Sequence, residues 1–188
     1  MSSLTTKKAI SYALKDLLKT NPFSKITIND IAASCNINRQ TFYYHFLDKE
    51  DLVEWICKEE IGSVLDNQDT IKSWQEKFLS IFALMLKEKN FIINIYHSVS
   101  LEILRESLYR LVYPIMYEEI ANISKGYQLS EKDKCFITDF YKYAFVAIVL
   151  DWVKNDMTEE PRIIVDKVST LVSGTILHAC LSLKSKKM

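Results

Sequence analysis

The span from Ile26 to Leu52 constrains this chain more than any other, because it packs several helix start and stop signals into very few residues. Thr27 followed by Asp30 has the form of a capping box, with Asp in place of Glu. Ile28, Ile31 and Ala32 then supply an inner apolar face. Asn36 stands where the chain must turn, and Asn tolerates the left-handed conformation that a tight inter-helix turn needs. Asn38 is a good N-cap for a second short helix over 39–45. Phe42 and Phe46, four apart, point one way and pin that helix to a core. Asp48 caps a longer helix through Leu52, Val53, Trp55 and Ile56 to about Ile61, with Gly62 as its expected break.

The rest of the chain continues the helical pattern. Ala9, Ile10, Ala13, Leu14, Leu17 and Leu18 form a stripe on a first helix from about Thr5 to Thr20. Asn21-Pro22 ends it, since the residue before Pro disfavours helical geometry, and Phe23 tucks into the small core. Amphipathic stretches follow at about 70–88, 90–98 and 101–124. Pro114 is expected to kink or split the third, and Lys125-Gly126 to end it. Ser130 to Asp133 forms a second capping box, opening a helix to about Asn155. Phe136, Phe140, Tyr143, Ala147 and Leu150 mark one face of that helix, widened by Val146, Val149 and Val153. Pro161 suits the first turn of a last helix to about Leu183, followed by the basic Lys184, Lys186 and Lys187. With only three Gly and three Pro in 188 residues, and no strand-like alternation, the chain is expected to be all-α. About nine helices are expected, divided into an N-terminal domain over 1–62 and a helical bundle over 63–188.

The second short helix exposes Arg39, Gln40, Thr41, Tyr43, Tyr44 and His45 on the side away from its phenylalanines. In a helix-turn-helix the second helix enters the major groove of double-stranded DNA, and its leading residues meet base edges. Arg pairs bidentately with guanine and Gln with adenine, while the Thr methyl touches that of thymine. Tyr43, Tyr44 and His45 follow where the helix meets the groove wall, a position suited to phosphate. Lys49 and Thr27, at the starts of their helices, suit phosphate as well. Charge agrees with this reading. Residues 1–47 carry six cationic side chains against Asp16 and Asp30, although the whole chain has no net charge.

Residues 26–52 resemble the N-terminal domain of TetR-type bacterial transcriptional regulators. The resemblance rests on T-x-x-D-I-A, the turn Asn36-Ile37-Asn38, T-F-Y-Y-H-F and K-E-D-L. It implies that Arg39, Gln40, Thr41 and Tyr44 face bases, and that Thr27, Tyr43, His45 and Lys49 face phosphates. Asn36 departs from the usual Gly. R-Q-T-F-Y-Y-H-F with Trp55 is most similar to a branch from low-GC Gram-positive bacteria. That branch includes regulators of dihydroxyacetone-kinase operons, some of them activators working with a partner protein. The specific likeness covers about residues 5–60; beyond it the chain matches only in being helical and of the right length.

The helices at about 131–154 and 161–182 have apolar faces broader than a monomer's core stripe needs. Small residues Ser169, Ser173, Gly174 and Ala179 would let another helix approach closely. The resemblance implies a homodimer through these last two helices, which suits a near-palindromic operator read at two half-sites. It also implies a small-molecule effector pocket, for which Trp74, Phe78, Tyr96, His97, Tyr109, Tyr113 and Tyr117 are the candidate lining groups. Their helical spacing suits ordinary core equally well. The default function is a repressor released by a small-molecule effector. The alternative is an activator controlled by a protein co-regulator.

Other classes fit less well. A helical enzyme would need a phosphate loop, a nucleophile elbow or clustered carboxylates, and none of these motifs is seen. An interaction module keeping the helix-turn-helix only as scaffold has no use for Arg39, Gln40 and Lys49. No cofactor or metal is expected, since His97, His178 and the cysteines lack ligand spacing. Cys35, Cys57, Cys135 and Cys180 are scattered and suit reduced, mostly buried thiols. The run Tyr143 to Leu150 is far short of the ~20 apolar residues that span a bilayer. Without a signal-peptide core in MSSLTTKKAI, the expected location is cytoplasmic.

Overall fold

The computed structural model describes residues 3–66, 73–98, 101–125, 127 and 129–185, excluding the side chains at 61, 64–66, 173, 180 and 183–185. Gly126, the side chains of Ser173, Cys180, Leu183 and Lys184, and the tail residues Lys186 and Lys187 therefore lie outside the described residues. Among those described, every regular element is helical: α1 Ser3–Leu17, a 3-10 turn Phe23–Lys25, α2 Ile28–Ser34, α3 Arg39–His45, α4 Lys49–Asp66, α5 Trp74–Lys87, α6 Lys89–Tyr96, α7 Leu101–Ile123, α8 Glu131–Lys154 and α9 Pro161–Ser185. The protein is all-α.

The chain divides into two compact units, one of Met1–Ser63 with Lys87–Ser107, the other of Val64–Leu86 with Leu108–Met188. In the first, Ile10, Leu14, Leu18, Phe23, Ile31, Phe42, Phe46, Leu52 and Ile56 are buried together. The break at Asn21-Pro22 behaves as its chemistry requires. Pro22 takes an extended backbone, and the Asn21 side chain donates to the Leu17 carbonyl at 3.3 Å. Residues 87–107 belong to this unit, and polar ties join them to α1 and α4. Lys15 of α1 pairs with Glu60 of α4 at 2.6 Å and with Glu88 just before α6 at 2.9 Å. Asn94 of α6 donates to the Leu18 carbonyl at 3.1 Å. Burial alone would lower the Lys15 pKa, but the two carboxylates outweigh it and the net shift is upward.

The second unit is built on aromatic packing. Phe78 of α5 stacks on Phe145 of α8 at 3.7 Å between ring centroids, and Phe82 meets the Trp152 ring edge-on at 4.8 Å. The Trp152 indole donates to the Glu159 carbonyl at 2.8 Å, which satisfies its polar edge. Ser130 caps α8 as expected, accepting from the Asp133 amide at 3.2 Å.

Two expectations are corrected. Gly62 does not end α4, which runs on to Asp66. A single Gly weakens a helix by about 1 kcal/mol without breaking it when neighbours hold it. Of the two outcomes expected at Pro114, the split does not occur: α7 runs as one helix across it. The inner face of α8 consists of Ile137, Thr138, Phe145, Val146, Val149, Trp152 and Val153, whereas Phe136, Phe140, Tyr143 and Ala147 face outward. A helix apolar on both sides gives no phase by which its inner face can be read. Among the cysteines, Cys57 is buried, while Cys35 and Cys135 are only half-buried; all three are free thiols.

A Cβ added at Gly62 meets nothing within 4 Å. Gly62→Ala is therefore expected to raise stability by about 0.5–1 kcal/mol, seen as a higher midpoint in thermal or urea unfolding.

Candidate nucleic-acid interface

The interface begins with how α2 and α3 are joined. Thr27 caps α2, its hydroxyl accepting from the Asp30 amide at 3.2 Å while the Thr27 amide donates to the Asp30 carboxylate at 2.8 Å. The reciprocal box read from the sequence is present. The far end of α2 closes through the Ile37 amide on the Ala32 carbonyl at 2.9 Å and the Asn36 amide on Ala33 at 3.2 Å. This is the Schellman pattern, with Asn36 at its left-handed position, φ 54°. Asn38 then caps α3, its side-chain oxygen accepting from the Thr41 amide at 2.7 Å and the Thr41 hydroxyl at 3.0 Å.

The inner face of α3 is fixed by Phe42, fully buried, and by Phe46 directly after the helix. Their rings lie 5.8 Å apart, and Trp55 of α4 packs on Phe46 at 5.7 Å. The opposite face is therefore turned out. Arg39 and Gln40 are exposed, Thr41 is half-buried, and Tyr44 is 82% exposed. The Arg39 guanidinium folds back along the helix, donating to the Tyr43 hydroxyl at 3.0 Å and lying 5.4 Å from its ring centroid. Tyr43 thereby holds the Arg39 guanidinium against the exposed side of α3. His45 is half-buried, with its ring edge-on to Tyr44 at 5.0 Å.

Two of the residues read for phosphate contact have further partners. The Thr27 hydroxyl also donates to the Asp30 carboxylate at 2.7 Å, so its proton is committed within the cap. The Lys49 ammonium donates to the backbone carbonyls of Phe23 at 3.0 Å and Ile26 at 2.6 Å, and sits 4.5 Å from the Phe23 ring centroid. Sequence reading missed the Lys49 arrangement. The Lys49 partners lie more than twenty positions away along the chain, and no local pattern marks them.

The seven effector candidates fall into separate groups. Trp74 and Phe78 are buried and pack on each other at 5.4 Å within the second unit. Tyr109, Tyr113 and Tyr117 form a half-buried ladder on α7, with Tyr113 and Tyr117 stacked at 6.0 Å. Lys142 of α8 lies over Tyr109, Tyr113 and Tyr143 at 5.1, 5.4 and 4.3 Å and pairs with Asp139 at 2.7 Å. The Tyr113 hydroxyl is pushed up to about 12, chiefly by its hydrogen bond with Cys135 and then by burial. Tyr96 and His97 lie in the first unit, Tyr96 half-buried and His97 exposed. Among the described residues there is no cluster of three groups that could hold a metal ion, and no helix is long and apolar enough to cross a membrane.

Comparison with known proteins places this geometry. Residues 12–56 match the family model described as bacterial regulatory proteins, tetR family, and residues 72–174 match that of a transcriptional regulator C-terminal region. The dhaKLM operon transcriptional activator DhaS of Lactococcus lactis is 34% identical over 77 residues, which cover 41% of each chain. A solved structure of a dihydroxyacetone kinase operon activator DhaS superposes with TM-score 0.72 at 22% identity, covering 92% of this chain and 97% of that one. A fatty-acid regulator FadR from Thermus thermophilus, solved with lauroyl-CoA, superposes with TM-score 0.58 at 14% identity, covering 88% and 92%. At these identities the two structures establish the shared fold.

The Asp30 carboxyl is held below its ordinary value, first by the Thr27 hydroxyl and then by the Thr27 amide. A depressed carboxylate stabilises the fold above its unfolded pKa and loses that contribution as pH falls through the folded value. Acidification from about pH 4 downward should therefore lower the melting temperature more in the wild type than in Asp30→Asn. Parallel acid limbs in thermal melts of the two proteins would contradict this.

Proposed function

The chain belongs to the TetR family of bacterial regulatory proteins, and we propose that it binds DNA as a homodimer on an inverted-repeat operator in the cytoplasm. It is a transcriptional regulator, and the family is not one of enzymes. The observation that carries the DNA-reading proposal is the outward presentation of Arg39, Gln40 and Tyr44 from a helix whose other side is locked by Phe42. Arg39, Gln40, Thr41 and Tyr44 meet base edges in this reading, and Tyr43 and His45 lie along the groove wall at phosphate. Thr27 joins the phosphate set when its hydroxyl turns away from Asp30.

Dimerisation is supported by the outward faces of α8 and α9. Phe136, Phe140 and Leu171 are 69%, 62% and 67% exposed. Phe140, Ala144, Ile148, Val168, Leu171 and Thr175 line an apolar groove of about 380 Å³. Large apolar side chains in register on two neighbouring helices suit a self-complementary two-fold interface. A pair of heads then reads two half-sites about one helical turn apart.

The direction of control has two readings. Repression relieved by a small molecule uses the tyrosine ladder of α7 as the ligand-facing surface; Trp74, Phe78, Tyr96 and His97 are the remaining candidates. The similarity to the dhaKLM operon activator favours a second reading, activation under a protein co-regulator. Expression of neighbouring genes in a deletion strain separates them, rising for a repressor and falling for an activator.

Gel-shift titration against duplexes tiling the DNA upstream of the chain's own gene should show salt-sensitive binding to an inverted repeat. Arg39→Ala is expected to lose roughly 1–3 kcal/mol of discrimination between that repeat and a point-mutated one. Equal loss on specific and scrambled DNA would overturn the base-contact assignment. Phe140→Glu with Leu171→Glu should shift sedimentation from dimer to monomer and weaken operator binding by more than tenfold, as expected when one half-site must serve alone. A double variant that remains dimeric would remove α8 and α9 from the interface.

A further inference from the structure

We infer that Lys49 is a positioning residue, a clasp that fixes the helix-turn-helix in its DNA-reading geometry, rather than a phosphate ligand. The inference rests on the reading of this head as a DNA-binding unit, and it departs from the role that family resemblance assigns to this lysine.

Lys49 is the first residue of α4. Its ammonium reaches back to the segment just before α2, donating to the Ile26 carbonyl at 2.6 Å and to the Phe23 carbonyl at 3.0 Å. An ammonium has three donors, and two of them are thereby placed on the protein backbone. Its position 4.5 Å from the Phe23 ring centroid adds a cation–π contact. Phe23 and Ile26 are themselves buried, so the clasp grips a rigid point.

The consequence is topological. Ile26 leads directly into the Thr27 cap of α2, and Lys49 follows directly after the turn that leaves α3. The two carbonyl bonds therefore close a ring around α2, the Asn36 turn and α3. The two ends of the recognition motif are tied together by one side chain, which reinforces the placement of α3 that Phe42 and Phe46 set from within the core. The N-terminus of α4 is already served without the lysine. Asp48 accepts from the Asp51 amide at 2.7 Å, and Asp51 accepts from the Leu47 amide at 2.8 Å. These two carboxylates flank Lys49 in sequence and make the start of α4 a poor anion site by itself.

The test uses the full chain and upstream duplexes, with binding measured by fluorescence anisotropy over a range of salt concentrations. Lys49→Met keeps the apolar stem over Phe23 and removes the donors. Circular dichroism confirms folding at the assay temperature. The expected result is operator binding roughly tenfold weaker, a smaller ratio of specific to scrambled affinity, and a slope of log affinity against log salt equal to that of the wild type. A residue that only stabilises the fold leaves the affinity of the folded variant unchanged. That outcome, or a slope shallower by about 0.9 for each head, overturns the inference while leaving the DNA-binding reading in place. A wild-type chain that binds no duplex overturns the reading itself. If Lys49→Met does not fold, the side-chain nitrogen resonance of Lys49 in the wild type decides. A slowly exchanging signal unmoved by added duplex supports the clasp, and one that shifts as a phosphate contact forms overturns it.

Discussion

Burial of Phe42 is the interaction on which the recognition surface depends. A helix as short as α3 has no independent stability in water, since nucleation is costly and few hydrogen bonds follow it. Removing a fully buried Phe side chain costs about 3–5 kcal/mol, more than any cap contributes. Core packing therefore makes α3 exist, and it also determines which side is left outside. Arg39, Gln40, Tyr43 and Tyr44 face outward because Phe42 faces inward. The caps at Thr27 and Asn38 and the left-handed Asn36 then fix the angle at which the helix is offered.

The second unit solves a different problem with similar residues. Phe78, Phe82, Phe145 and Trp152 fill its interior through ring contacts. The same helix α8 that contributes Phe145 and Trp152 inward carries Phe136 and Phe140 outward. Large exposed apolar side chains on the second side of a helix mark a surface suited to cover by another element. A second copy supplies that cover in the dimer proposed above, and dimerisation couples two recognition helices whose separate affinities would be weak.

Much of the first unit was legible because its signals are local. A cap, a left-handed Asn and two phenylalanines four apart act over a few residues, and the boundaries of α3 followed from them. The extent of α4 was misjudged because Gly62 was weighed by its propensity alone, without the helix that carries it onward. The inward face of α8 cannot be picked out in the sequence because Phe136, Phe140 and Tyr143 look as core-like as Val146, Val149 and Val153. Long-range polar ties left no trace in the sequence. Lys15 meets Glu60 and Glu88 far along the chain, Asn94 finds the Leu18 carbonyl 76 positions away, and Lys49 finds carbonyls 23 and 26 positions back. Lysine and asparagine at such places read as surface residues until the fold brings their partners to them.

The central claim is that α3 is a reading head whose orientation is set from behind by Phe42 and Phe46. A crystal structure of the chain with its operator duplex tests this most directly. The account predicts α3 in the major groove, with Arg39, Gln40 and Tyr44 at base edges and the two phenylalanines buried as in the free chain. A complex in which α3 faces solvent while another surface holds the DNA would contradict it.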